Sequence, residues 1–232
     1  DLLGSRSLAV MYKSAESNNA DFVRGNCLVF RELDSQTTTP MRFIEWVTDS
    51  KNVNYRRKNF QGLPWCHPAF LFRRDFLVQH GIQYPELSLG EDPIFLLNAL
   101  LSSERANTIS DAVYFYRAYK KPSDRFSEAR YLNDYLEHYV RIKSIWLKAN
   151  MREEWEHYFK ESFWWLWEKY VQSNVFSILE NLGVIKELLE DRAARDIPES
   201  GGLDSGLIRD IQMRPILDLR QSLWQNSRFN EQ

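Results

Sequence analysis

Gly90-Glu91-Asp92-Pro93-Ile94-Phe95 sets two adjacent carboxylates between a turn, Tyr84-Pro85-Glu86, and an apolar helical run from Ile94 to Leu101. Carboxylates at a helix N-terminus are favoured by the helix dipole and by unpaired N–H groups, so simple capping explains Glu91 and Asp92 on spacing alone. Adjacent positions at a helix start also point to different sides. One carboxylate could then act as a general base while the other caps the helix or orients a loop. Both readings stand at this level.

Upstream, Trp65-Cys66-His67-Pro68-Ala69-Phe70-Leu71-Phe72 is aromatic and strand-like, and Arg74 to His80 has the pattern of a short helix closed by Gly81. His67 among these aromatics reads as a satisfied structural histidine rather than a metal ligand. Downstream, Thr108 to Arg117 predicts a strand, a turn and a second strand with alternating aromatics. Ala118 to Arg125 is a polar loop. Arg117 heads it, and a guanidinium suits the developing charge of a diphosphate leaving group. Lys120 and Lys121 read as solvated.

Towards the N-terminus, Leu8, Met11, Tyr12 and Ala15 keep helical spacing and predict a helix from Ser5 to Ser17. Ala20 to Arg31 predicts one long strand or a strand pair, broken at Gly25-Asn26. Ser35 to Pro40 is a polar loop, Met41 to Val47 a short helix, and Asp49 to Gln61 an unpatterned basic loop. Arg56-Arg57-Lys58 there fits either a phosphate contact or a solvated loop. From Phe126 the character changes to helices: about Phe126–Ala149, Arg152–Gln172, Val175–Arg195, and Ser205–Ser222 with a break at Pro215. Gly201-Gly202 reads as a hinge.

The 232 residues suffice for one large domain or a domain with an appendage. A charged fraction of 27%, a hydrophobic fraction of 44% and a net charge of −2 fit a soluble globular chain. They give no electrostatic reason to expect nucleic acid or an anionic membrane as partner. Cys27 and Cys66 lack metal-ligand spacing, so free thiols in a reducing, cytoplasmic setting are expected. Every apolar stretch is broken by charge before about 18 residues, too short to span a bilayer. No Gly-rich phosphate loop, CxxC pair, HExxH or GxSxG is present, which leaves nucleophilic-serine and zinc-hydrolase chemistry without support.

Four segments in order carry a resemblance: Trp65-x4-Phe70-Leu71-Phe72-Arg73-Arg74-Asp75-Phe76-Leu77, Gly81-Ile82-Gln83-Tyr84-Pro85-Glu86, Glu91-Asp92-x-x-Phe95, and Val113-Tyr114-x-Tyr116-Arg117-x5-Ser123. Together, over roughly residues 60 to 125, they resemble the C-terminal half of the GT-A glycosyltransferases of family 2. Asn19 to Gly25 is similar to the strand that follows that family's metal motif, and Asp1-Leu2-Leu3 looks like the tail of the motif itself. The resemblance implies an α/β partial GT-A fold over 1–125, truncated at its N-terminus, followed by a helical extension over 126–232. The nucleotide-binding half would lie upstream of Asp1.

It further implies transfer of a sugar, with inversion, from a nucleotide-diphosphate sugar to a glycan or lipid-linked acceptor, as in polysaccharide biosynthesis. Asp92 would be the base and Glu91 its neighbour. Trp65, Arg73 and Arg74 would border donor and acceptor, Arg117 and Ser123 would close over the diphosphate, and Asp1 would be one ligand of Mn2+ or Mg2+. A second class of function is non-enzymatic, a transferase-derived module that binds a glycan or partner protein. A third is a scaffold in which Glu91 and Asp92 only cap a helix. The Trp-rich helix from Trp155 to Tyr170 fits a bundle core, an oligomer or partner interface, or a helix peripheral to a membrane.

Overall fold

The computed structural model describes residues 1–30, 38–41, 45–56, 66–118, 129–166, 175–191, 211, 213–219 and 221. Trp65, Ser123, Arg57, Lys58, Lys120, Lys121 and the Gly201-Gly202 hinge lie outside the described residues.

Strand β1 (Leu2–Leu3) is followed by helix α1 (Ser7–Glu16) and a single nine-residue strand, β2 (Phe22–Phe30). Strands β3 (Thr39–Pro40), β4 (Ser50–Val53) and β5 (Phe70–Phe72) come next, then helices α2 (Arg74–Gln79) and α3 (Glu91–Ser102), and strand β6 (Ala106–Arg117). β2 and β6 run parallel along their whole lengths, from Phe22 opposite Ala106 to Phe30 opposite Arg117. Four short strands pair antiparallel with this central couple. β1 takes the carboxyl half of β6 and β4 its amino half, while β5 takes the amino end of β2 and β3 the stretch at Leu28–Val29. Among the described residues the sheet is therefore mixed and six-stranded.

The strand–turn–strand expected over 108–117 is one strand with a bulge. Arg24 pairs with Thr108 and Asn26 with Ala112, so Gly25 alone faces residues 109–111. A Cβ on Gly25 would lie 2.6 Å from both methyls of Val113, which is why the tight side of the bulge needs glycine. The loosened backbone is satisfied by the buried Asn26. Its amide donates to the carbonyls of Val47 (2.9 Å) and Ser110 (3.0 Å), and its oxygen accepts from the Val47 N–H (2.8 Å). The two bonds to Val47 also tie that stretch of backbone to β2. Met41 and residues 45–47 accordingly carry no helix, contrary to the helix expected there.

The basic loop expected over 49–61 contains β4. Ser50-Lys51-Asn52-Val53 has no strand pattern; its pairing comes from the open edge of β6. Asp49 accepts the Ser110 N–H (2.6 Å) and Thr108 donates its hydroxyl to the Thr48 carbonyl (2.6 Å).

An aromatic cluster fills this layer. Phe22 lies 5.7 Å, ring to ring, from each of Tyr55, Phe70 and Phe72, and Phe72 meets Phe95 edge-on at 5.2 Å. α3 is apolar nearly all round, as a buried helix must be, with Leu96, Leu97, Ala99 and Leu100 fully buried. Asp21 gathers the amino ends of the strands. Its carboxylate accepts the Glu104 and Arg105 N–H groups, both at 3.0 Å, and pairs with Arg73 at 2.5 Å.

The chain divides into two compact units. Asp1–Glu86 with Glu91–Pro122 forms the first, and Leu87–Gly90 with Ser123–Gln232 the second. The second contains α4 (Ala129–Lys148), α5 (Arg152–Leu166) and α6 (Val175–Leu189). Trp155, Phe159 and Phe163 are buried, and Phe159 and Phe163 pack on Tyr139 at 5.7 and 5.5 Å. The described part of the aromatic helix is bundle core. Further on, Pro215 separates Met213 from the helical turn at Ile216–Leu219, as a missing N–H and a fixed φ require. Among the described residues no helix is long and apolar enough to cross a membrane.

Candidate functional site

Asp92 is the second residue of α3 and its side chain is 27% exposed. Its Oδ2 lies 2.7 Å from Nδ1 of His67. Among the described residues its carboxylate thus meets an imidazole, where a pure cap would meet a first-turn N–H. An ionised carboxylate only accepts, so the Nδ1 of His67 carries the proton and donates it.

His67 opens a single 3-10 turn, His67–Ala69, stiffened by Pro68. The Ala69 N–H closes on the Cys66 carbonyl at 3.0 Å, and the Phe70 N–H, at the start of β5, returns to the His67 carbonyl. Cys66 itself is buried, and its thiol donates to Cys27 on β2. That bond, with burial behind it, pushes the Cys66 thiol up and keeps it protonated. Both cysteines are free, as expected, though their contact was not visible in the sequence.

Tyr84 completes the wall. Its ring stacks flat on Phe95 (4.1 Å, 1°), meets His67 edge-on at 5.9 Å and is 46% exposed. Partial burial and the negative charges of Asp92 and Glu91 push its phenol up to about 12. Glu91, Asp92, His67 and Tyr84 therefore form one partly open acidic and aromatic corner.

Asp1 and Arg117 meet elsewhere on the same sheet. The Arg117 N–H donates to Asp1 Oδ1 at 2.8 Å, and the guanidinium lies 5.6 Å from the Phe30 ring centroid. Both sit at the carboxyl ends of the parallel strands β2 and β6, the edge where open α/β sheets take ligands. Arg73 follows Phe72, which pairs with Phe22, and so lies at the amino end of β2. Its guanidinium is engaged by Asp21 and by Asn19 (2.7 Å). Arg74 is exposed on α2. The structure thus brings together Glu91 with Asp92, and Asp1 with Arg117, and it sets Arg73 at the opposite sheet edge.

The described residues do not fit a metal centre by themselves. No three His, Cys, Asp or Glu side chains converge among them, and Asp1 offers one carboxylate.

His67 is the site residue that sequence reasoning missed as a functional group. The signal available was its place in the aromatic segment beside Trp65. Its partner lies 25 residues on, and only the packing of the His67 turn against the start of α3 reveals it.

A partial GT-A-like α/β fold with a helical extension is the class these features define. Solved structures of S. aureus TarS share it. One, a 1–349 fragment, superposes with a TM-score of 0.60 at 16% identity over 99% of this chain and 64% of that one. The same fragment in complex with UDP-GlcNAc gives 0.57 at 15% identity, over 98% of this chain and 65% of that one. In complex with UDP it gives 0.57 at 15% identity, over 98% and 64%. The chain thus spans just under two thirds of the fragment in all three structures. No family model matches the chain, and no curated protein matches it.

Proposed function

We propose that this chain is the acceptor-side part of a glycosyltransferase that moves a sugar, with inversion, from a nucleoside diphosphate sugar to a hydroxyl of a glycan or lipid-linked acceptor. The observation that carries this reading is Asp92: a partly exposed carboxylate at a helix start, held through one oxygen by His67, in a fold shared with a protein solved with UDP-GlcNAc. A uridine diphosphate sugar is accordingly the first donor to test.

In the reaction, an Asp92 oxygen takes the proton of the acceptor hydroxyl. The freed oxygen lone pair forms the new bond to the anomeric carbon from the face opposite the leaving group. The C–O bond to the diphosphate breaks and its electron pair leaves with the nucleotide. Arg117 supplies a fixed positive group for that charge at the carboxyl edge of the sheet. Glu91 holds the acceptor or the adjoining turn. By the family resemblance, Trp65 would border donor and acceptor and Ser123 would close over the diphosphate. Mn2+ or Mg2+ at Asp1 would need ligands beyond those described, and no step is routed through it.

The test is Asp92→Asn in the intact protein. Removing a general base costs roughly 10²- to 10⁴-fold. Sugar transfer from a UDP sugar should fall by that amount while UDP binding stays within about twofold. Undiminished turnover would remove Asp92 as the base, and absence of transfer or donor binding in the parent protein would favour a binding module.

A further inference from the structure

Resting on the reading of Asp92 as base, we propose that His67 is its positioning residue: the Nδ1–H of His67 fixes Asp92 so that the second carboxylate oxygen is presented to the acceptor hydroxyl. Three observations lead there. The Nδ1···Oδ2 distance of 2.7 Å is that of a charge-assisted hydrogen bond, about twice as strong as a neutral one. The imidazole has little freedom, because Pro68, the closed turn and the buried Cys66–Cys27 contact anchor its backbone on both sides. The Tyr84 ring stands against it edge-on, and Tyr84 is itself held flat on Phe95, a residue of the helix that carries Asp92.

The consequence is chemical. A carboxylate on a helix start rotates freely about its last side-chain torsion unless one oxygen is tied, and catalysis by a base depends on reach and angle to the proton. Tying Oδ2 leaves Oδ1 as the proton acceptor and defines the side from which the hydroxyl approaches. The arrangement parallels other sites in which a base is oriented by a third group. Here the carboxylate is the base and the imidazole is the orienting group. His67 touches no reacting atom.

The side-chain amide of Asn places its nitrogen where the Nδ1 of His sits, whereas Gln reaches the position of Nε2. This separates the hydrogen bond from the bulk of the ring. In the intact protein, His67→Gln and His67→Phe should lower kcat for transfer from a UDP sugar roughly 10- to 100-fold, the scale of a misplaced catalytic group. KM for the donor and the affinity for UDP should stay within about twofold. His67→Asn should restore most of the lost kcat. Thermal unfolding midpoints read beside these rates report whether each variant is folded, and His67→Asn serves if His67→Phe is not.

Full turnover in all three variants would overturn the proposal, as would an equal loss in His67→Asn and His67→Gln. Asp92→Asn run in parallel separates the two claims. If it abolishes transfer while His67→Gln turns over at the wild-type rate, Asp92 stands as base and the role of His67 falls. If Asp92→Asn retains transfer, the underlying reading of the site falls first.

Discussion

Asp92 and His67 show how the chemistry of a residue depends on what reaches it. Glu91 and Asp92 are adjacent in sequence and share a helix turn, yet Asp92 meets His67 at 2.7 Å. Tyr84 reports on the same corner from outside the bond. Burial comes first in holding its phenol up at about 12, with Asp92 and Glu91 opposing the phenolate after it. Replacing both carboxylates, by Glu91→Gln with Asp92→Asn, should lower the Tyr84 midpoint without returning it to 10, since burial remains. Ultraviolet titration of phenolate, with Tyr84→Phe to assign the band, measures it; an unmoved midpoint would place Tyr84 away from the acidic pair.

At the scale of elements, glycine marks two places where a side chain would be pressed against its neighbours. Gly25 sits 2.6 Å, as a built Cβ, from both Val113 methyls inside the bulge between β2 and β6. Gly90 has φ +82, and a Cβ there would come within 3.0 Å of the His138 ring. Gly25→Ala should destabilise the protein by roughly 1–3 kcal/mol through overpacking. Gly90→Ala should cost a similar amount through strain in the left-handed region. Chemical denaturation reads both, and wild-type stability in either variant would contradict the close approach. The elements themselves divide by legibility. α1, α2, α3 and the first turns of the bundle follow from apolar spacing and capping residues, which are local. β4 has no pattern of its own, and the bulge in β6 looks like a turn, because Ser110-Asp111 carries turn residues whose fate depends on Asn26 and Gly25 across the sheet.

At the scale of the molecule, the four residues Leu87–Gly90 count with the helical unit, although the chain on either side counts with the sheet. Two bonds show why. The Ser88 N–H donates to Asp134 (2.7 Å), and the Gly90 carbonyl accepts from Nδ1 of His138 (2.6 Å), whose Nε2 accepts from the Tyr158 hydroxyl (2.6 Å). His138 is fully buried, and burial holds its imidazole down to about 4; the Gly90 carbonyl pulls the other way and loses. Its facing groups, Tyr158, Tyr135 and Tyr139, are phenols that bring no negative charge to stabilise an imidazolium. With the folded value below the ordinary 6.5, the unfolded chain takes up the proton first as pH falls. The stability this group contributes is complete above about pH 6.5 and is lost towards pH 4, roughly 3 kcal/mol in all. Denaturation midpoints across that window should show the loss, and His138→Gln should flatten it. A wild-type profile as flat as the variant's would mean that His138 is not buried neutral.

The order of the chain, an α/β part and then a helical part, was readable from the sequence, since periodicity and breakers act within a few residues of one another. Asp92, Glu91 and Arg117 stand out as candidates from residue type and local pattern, and Asp1 only through the family resemblance. Tertiary structure alone decided that Arg73 turns to Asp21 at the amino end of β2, that Cys27 and Cys66 touch, that residues 87–90 pack with the helices, and that His67 reaches Asp92. Each of these joins groups far apart along the chain. Which distant partner wins is set by strand register and packing, and neither leaves a mark on the local pattern of residues.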